Sequence, residues 1–392
     1  MRSVKLLSAV AFAAFAASAS AQTIKIGFIT SYSGLNGNLG PYMERAVRLY
    51  IKQHQKELPP GVKIELITRD DTGPNPDKAK QLAQELIVRD KVNLLAGVIF
   101  TPNALAIAPL ATEAKVPFVV MNAGTAVITT KSPYIVRTSF TLWQSSYPLG
   151  EWASKKFKTA YTLVSDFGPG HDAEEAFSKA FEAGGGKVID KLRVPLQNPD
   201  WAAYMQRVKD AKPGALMVFI PAGKTATAVA KNFNDLGLKE AGIKLIGPGD
   251  ITTEEELPNM GDVALGVTTV FHWSLAGDRP ANKAFVAAFE KANSGMRPNF
   301  MAVGGYDGIA LIYQALEKTK GDASGDKLIA AMKGMSWMSP RGPVSIDPET
   351  RDIIQPEYLR EVRKVNGHLA NVELETLSKA EKDPWKELNK KK

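Results

Sequence analysis

Short apolar runs alternate along this chain with longer stretches whose apolar residues recur at helical spacing, and this alternation constrains the fold more than any single motif. A run that is apolar throughout suits a strand buried on both faces, and parallel neighbours need a long crossover between them, usually a helix. The pattern therefore points to an α/β architecture built on parallel sheets. Residues 24–29 read as a strand and 31–40 as a Gly/Ser/Asn loop, after which Pro41 opens a helix with Met43, Ala46, Val47, Tyr50 and Ile51 on one face. The unit repeats with a strand at 63–68, a loop at 69–74 and a helix aligning Ala79, Leu82, Ala83, Leu86 and Ile87. Strands at 93–100, 117–121 and 134–138, with a helix at 103–114, complete one lobe.

The architecture then restarts. A helical stretch at 143–157 leads to strands at 160–164, 187–194, 215–220 and 243–246, separated by helices at 173–183, near 201–208 and at 225–236. Beyond 266–270, helices at 281–292 and 304–318 read as further cover for a sheet. At about 150 residues per domain, 392 residues suit two or three domains. No short-period repeat suggests a solenoid, and no flexible Pro/Gly/Ser tether separates the halves.

The N-terminus addresses the compartment. Arg2 and Lys5 precede an apolar, alanine-rich run over 6–17, and Ala19-Ser20-Ala21 supplies the small residues of a signal-peptidase site. Cleavage is expected after Ala21, and the stretch is short for a membrane anchor. The formal charge is +8, part of it in a lysine-rich tail that reads as a solvated segment and not as a nucleic-acid surface, which would want a basic stripe with interleaved aromatics. The absence of cysteine excludes disulfides, thiolate metal sites and a cysteine nucleophile.

Several motifs invite a chemical reading and fail it. Ala222-Gly223-Lys224-Thr225 follows a buried strand and opens a helix, but a phosphate loop needs glycine five residues before Gly223, where Val218 stands; it reads as a loop and helix start lining a cleft. The spacing of Gly34, Gly37 and Gly40 is not a dinucleotide fingerprint, and residues 70–77 lack the alternation of a calcium loop. His54, His171, His272 and His368 are scattered without metal-ligand spacing, so no metal or other cofactor is expected. Ser324-Gly325-Asp326-Lys327 reads as a helix cap, and no G-x-S-x-G elbow supports a hydrolase.

What remains is a set of loops at the carboxyl ends of strands, where open α/β sheets bind ligands: 31–38, 100–103, 122–125, 166–170 and 247–252. Their free N–H groups beside helix starts favour an anion such as a carboxylate, and Tyr32, Phe100 and Phe167 favour an apolar body.

These residues resemble a known family. Ile24-Lys25-Ile26-Gly27-Phe28 with its Ser/Gly loop, Asp70-Asp71-Thr72, Asn122-Ala123-Gly124-Thr125, Arg137-Thr138-Ser139, Asp166-Phe167-Gly168-Pro169-Gly170 and Gly304-Gly305-Tyr306-Asp307 are together similar to the periplasmic substrate-binding proteins of ABC transporters of the branched-chain amino acid type. The resemblance implies a type I periplasmic-binding fold, two Rossmann-like lobes joined by three crossovers placed near 138–143, 271–275 and 340–346. It implies a signal peptide over 1–21, one lobe from 22–140 and 272–342, and a second from 141–271 and 343–392 with the tail. By the same resemblance Phe100, Thr101, Ala123 and Thr125 hold a ligand carboxylate, Phe167 covers the ligand, and Asp250 meets an amino group.

The chain departs from the amino-acid binders where Ile99-Phe100-Thr101-Pro102 replaces a serine pair and Phe167 a tyrosine, which lowers the polar capacity of the cleft. Trp143, Phe271, His272 and Trp273 near two crossovers add ring surface suited to a planar ligand. The expected contact positions are Tyr32, Ser33, Phe100, Thr101, Ala123, Gly124, Thr125, Phe167, Ala222, Gly223, Gly249, Asp250, Phe271 and His272, with no catalytic residue among them. The expected ligand is an aromatic or hydrophobic carboxylate, with a branched-chain amino acid or amide as the alternative. The expected partner is a membrane permease reading a closed, monomeric binding protein in the periplasm. An exported enzyme and a ligand-sensing module are the competing classes; the first lacks a nucleophile–base pair in the sequence, and the second shares the fold.

Overall fold

A computed structural model describes residues 22–197 and 199–390. The expected leader at 1–21 with its cut after Ala21, together with Lys391 and Lys392 of the tail, lies outside the described residues.

The first lobe alternates as its sequence pattern dictates: β1 (Gln22–Thr30), α1 (Gly40–His54), β2 (Val62–Asp70), α2 (Pro76–Val88), β3 (Leu94–Gly97), α3 (Thr101–Ala114), β4 (Phe118–Val120) and β5 (Ile135–Arg137). Its five strands run parallel in the order β2-β1-β3-β4-β5. Helix entry follows local chemistry: proline stands in the first turn of α1, and the Asn75 side chain accepts from the Lys78 N–H at the start of α2.

The second lobe contains α4 (Leu142–Ser154), β6 (Thr159–Ser165), α5 (Gly168–Ala183), β7 (Lys187–Val194), α6 (Trp201–Ala211), β8 (Ala215–Phe219), α7 (Lys224–Asp235), β9 (Lys244–Pro248), α8 (Leu257–Met260) and β10 (Thr268–Phe271). Strands β7-β6-β8-β9-β10 are parallel. The chain then forms α9 (Pro280–Ala292), α10 (Phe300–Lys318) and α11 (Gly325–Met332). Helices α9 and α10 pack on α1 of the first lobe. In α11, Ser324 occupies the cap position but its hydroxyl makes no capping bond.

The C-terminal quarter departs from the sequence reading. Strands β11 (Ser336–Ser339), β12 (Gly342–Ile346), β13 (Ile353–Val365) and β14 (His368–Glu381) extend the second sheet in antiparallel fashion, and α12 (Pro384–Leu388) follows. Strand β11, inside the segment assigned above to the first lobe, is hydrogen-bonded through β12 to the second sheet. Its Trp337 and Ser339 side chains meanwhile donate to Asp307 of α10 at 2.8 and 2.6 Å. The tail is only partly solvated: Lys379 lies exposed on β14, Lys382 follows it, exposed and paired with Asp347, whereas Lys386 of α12 is buried, donating to Thr129 and paired with Asp352 and Asp383.

The crossovers are tied to one another. Arg341, fully buried and paired with Asp307 at 2.9 Å, donates to the carbonyls of Thr138 and Ser139, and Gln144 donates to that of Ile353.

Candidate functional site

Both parallel sheets carry a topological switch point, between β1 and β3 in the first lobe and between β6 and β8 in the second. At such points the loops leaving neighbouring strands diverge to opposite faces and open a crevice. The two crevices face each other. The loops after β1, β3, β6 and β8 bring Asn36, Phe100, Thr101, Phe167, Pro169, Pro221 and Ala222 to one inner cavity, closed at the hinge side by Phe140, Leu142, Met301 and Asp250. Its free space is about 30 Å³, room for a water or two, so a ring enters only when the lobes part.

The loop after β3 shows how the chain aims these residues. The strand ends three residues earlier than its apolar run suggests because Gly97 takes φ 102° and Val98 φ 67°. A β-branched residue in the left-handed region is strained. Here the turn is pinned by the Val98 N–H donating to Ile29 and by the Val98 carbonyl accepting from Ala123. A Cβ on Gly97 would stand 2.3 Å from the Ile29 carbonyl oxygen. The turn delivers Phe100 and Thr101 to the start of α3.

Two helix N-termini meet at a pair of hydroxyls. Thr101 opens α3, Gly168 opens α5, and Thr101 Oγ1 lies 2.8 Å from Thr125 Oγ1. A Cβ on Gly168 would come within 3.0 Å of that Thr125 hydroxyl, so the second lobe touches the first at this point. The first-turn N–H groups of both helices have no intrahelical partners and carry the positive ends of the dipoles. The loop bearing Thr125 is held by Arg137, which donates to the carbonyls of Ala123 and Thr125 at 3.0 and 2.7 Å and to Asp352 at 2.7 Å. Beside it, the Ala126 N–H donates across the lobes to Asp172 of α5 at 2.7 Å.

The lining also carries acceptors. Asp250 is the charged residue in the lining, its Oδ2 is buried without a partner, and burial pushes its carboxyl up to about 7 against the opposing pull of its own backbone and Arg360. Asn122 donates to the Ile99 carbonyl and leaves its Oδ1 unpaired. Phenyl rings make up much of the rest of the lining: Phe167 and Phe219, stacked with centroids 6.1 Å apart, together with Phe100 and Phe140. The cavity thus combines hydroxyl and helix-start donors, phenyl faces, and carboxyl and amide acceptors.

The structure thus brings Phe100, Thr101, Gly124, Phe167, Ala222 and Asp250 to the inner cavity. Thr125 stands behind Thr101, and Ala123 presents its carbonyl to Arg137. Other expected positions lie elsewhere. Tyr32 and Ser33 line a cavity farther out, with the Tyr32 hydroxyl engaged by Glu44 and that of Ser33 by Asp70. Gly223 caps α7 at the rim. Gly249 and Phe271 border a small space beyond the inner wall, next to Trp273 and Arg360. His272 sits behind Phe140, 5.3 Å ring to ring, with both nitrogens unpaired and its proton affinity well below that of an ordinary histidine because of burial. Trp143 packs with Ala126 and Ala176 and contributes no ring to the lining. The rings near the crossovers therefore brace the wall, and the lining residues outside the expected contacts are Asn36, Asn122 and Pro169, which fall in loops already singled out, and Ile99, Phe140, Leu142, Phe219, Pro221 and Met301. Phe219, an aromatic at the carboxyl end of a buried strand, carried the same signal that identified Phe100.

Two facing Rossmann-like lobes closed over a slot define a bilobal solute-binding protein, in which the event is capture by closure. The chain belongs to the periplasmic binding protein family, whose model matches residues 23–367. It is 43% identical over 382 residues to a Leu/Ile/Val-binding protein homolog 6 of Brucella melitensis, covering 97% of this chain and 98% of the relative. It is similar to the crystal structure of an ABC-transporter solute-binding protein from Rhodopseudomonas palustris BisB5 in complex with 3,4-dihydroxybenzoic acid, with a TM-score of 0.89 and 54% identity over 93% of this chain and 99% of that one. A second such protein, from R. palustris HaA2 in complex with p-hydroxybenzoic acid, matches with a TM-score of 0.89 and 48% identity, covering 92% and 98%.

Proposed function

We propose that this solute-binding protein captures a hydroxylated benzoic acid between its lobes in the periplasm, after removal of the leader at Ala21, and delivers it as a monomer to an ABC permease. We assign 22–140 and 272–342 to one lobe and 141–271 and 343–392 to the other, with the β11–β12 hairpin as the third crossover. The carboxylate docks on the Thr101 hydroxyl, which Thr125 orients from behind, at the starts of α3 and α5, and the ring lies among Phe100, Phe140, Phe167 and Phe219. The ring hydroxyl donates to Asp250.

The observation that carries this reading is the lining itself. The lining is mostly phenyl and aliphatic, and its single carboxyl, Asp250, is raised by burial to about 7, which suits an acceptor for a ring hydroxyl and leaves the carboxyl only partly ionised near neutral pH to meet an ammonium. The hydroxybenzoates bound by the two R. palustris proteins support the same class. The branched-chain alternative rests on the names of the Brucella relatives and on Asp250 ionising once an ammonium faces it.

A thermal-shift screen of refolded, ligand-stripped protein tests the reading. A ligand at a hundred times its dissociation constant adds about 2.7 kcal/mol. Hydroxybenzoates should raise the melting temperature while leucine, isoleucine and valine leave it unchanged; the reverse pattern rejects the aromatic reading.

A further inference from the structure

The segment Ala222-Gly223-Lys224-Thr225, which fits no phosphate loop, borders more than the inner cavity. Asn36 lines both the inner cavity and the one next to it, and Lys224 and Thr225 line that second cavity and a larger one of about 850 Å³ beyond it. The three spaces thus form a series running from the ring site to the mouth of the cleft. Two features mark the passage between them. Gly223 takes φ 101°, and where a side chain would project it has only the Asn36 Oδ1 at 3.5 Å. Asn36 is itself in the left-handed region at φ 62°, is nine-tenths buried, and makes no side-chain hydrogen bond among the described residues. Its amide atoms are not among the fully buried, unpartnered polar atoms, so they stay within reach of a ligand group or solvent.

The outer space carries one cation in its lining, while the carboxylates of Asp70 and Glu44 stand behind the lining, engaged by Tyr32, Ser33 and Thr72. Lys224 is the only charged side chain lining either outer cavity, and no carboxylate lies within ion-pair distance of it among the described residues. It stands at the first position of α7, where the helix dipole adds positive potential, and Trp201 on the facing wall supplies an apolar surface.

We propose that the outer cavity is a second subsite of the same cleft, taking an anionic extension of a ligand whose ring occupies the inner site. The extension passes between Asn36 and Gly223, receives a hydrogen bond from the Asn36 amide and ends beside Lys224. The ligand class then includes elongated aromatic diacids as well as simple hydroxybenzoates. This rests on the aromatic-acid reading above.

Calorimetric titration of the refolded protein with benzoate, 4-hydroxybenzoate, benzene-1,3-dicarboxylate and 3-carboxycinnamate, whose second carboxylate leaves the ring off the axis that points to Asp250, tests it. The first diacid is symmetric, so its direction in the cleft does not matter. The wild type should bind at least one diacid, Lys224→Gln should weaken that diacid about two- to fivefold at low salt, as for an exposed ion pair, and Lys224→Glu should weaken it further. Both variants should leave benzoate unchanged. Glutamate at the first helical position suits the helix dipole, so loss of fold does not confuse the result. If the monoacids bind while both diacids are rejected, or if the Lys224 variants alter benzoate and diacid alike, the outer subsite is refuted and the aromatic-acid reading stands. If neither benzoate nor 4-hydroxybenzoate binds, both fall.

Discussion

Replacing Asp250 by asparagine separates what this carboxyl does for the ligand from what it costs the fold. Burial raises it from 3.8 to about 7, and its Oδ2 has no partner. The folded chain therefore keeps a proton that the unfolded chain releases between those values. The stabilising contribution is present below pH 4 and is lost as the pH rises through 7. Above pH 7 the buried anion costs up to roughly 4 kcal/mol relative to a neutral isostere, a ceiling that relaxation and Arg360 lower. Ligand-free Asp250→Asn should accordingly melt higher than wild type at pH 8, with the advantage shrinking toward pH 5. Binding should move the other way. A hydrogen bond to a charged acceptor contributes about 1.5–3 kcal/mol, so 4-hydroxybenzoate should bind about 10- to 100-fold more weakly at pH 8, while benzoate changes by less than about threefold. Calorimetry with both acids and melting curves at the two pH values provide the readout. An unchanged ratio of the two affinities, or a lower melting temperature for the variant at pH 8, would refute the reasoning.

Three further outcomes follow from the geometry. Asp172→Ala removes the acceptor for the Ala126 N–H across the lobes; ligand dissociation should speed up about tenfold, and the ligand-free protein should show a larger radius of gyration by small-angle scattering. Thr125→Val deletes a hydroxyl from the carboxylate end, so every acid should lose about tenfold in affinity while stability falls by no more than about 1 kcal/mol; a loss confined to one acid would contradict the assigned end. Asp352→Asn breaks the buried pair with Arg137, while Lys386 keeps Asp383, and loss of that pair should cost about 3–5 kcal/mol, measured by denaturant unfolding.

Much of the scaffold was legible because parallel strands buried on both faces announce themselves as continuous apolar runs. Strand β3 was overextended because Val98 and Ile99 are as apolar as Leu94, and nothing in residue type betrays the left-handed turn that begins at Gly97. The β13–β14 hairpin went unread because its strands mix charges with apolar residues, yet Asn366-Gly367, both at positive φ, is the dipeptide that favours a tight hairpin turn and could have revealed it. Lys386 was misjudged because a lysine-rich stretch reads as solvated, while its burial depends on Asp352 and Thr129, distant in sequence.

The site divides along similar lines. Loops after strands at a switch point are fixed by topology, so Phe100, Thr101, Phe167 and Ala222 could be picked out. Trp143, Phe271 and His272 lie close to the hinge in sequence, but proximity does not set which way a ring points, and all three face away from the lining. Met301 enters from α10, and no local signal marks it.

The central claim is that the inner cavity selects an aromatic acid over an amino acid. Calorimetric titration of refolded, ligand-free protein with 4-hydroxybenzoate and with leucine under identical conditions tests it most directly. Saturable one-to-one binding of 4-hydroxybenzoate, tighter than leucine by roughly a hundredfold or about 2.7 kcal/mol, is the predicted result. Tighter binding of leucine, with no heat from the aromatic acid, would contradict the account.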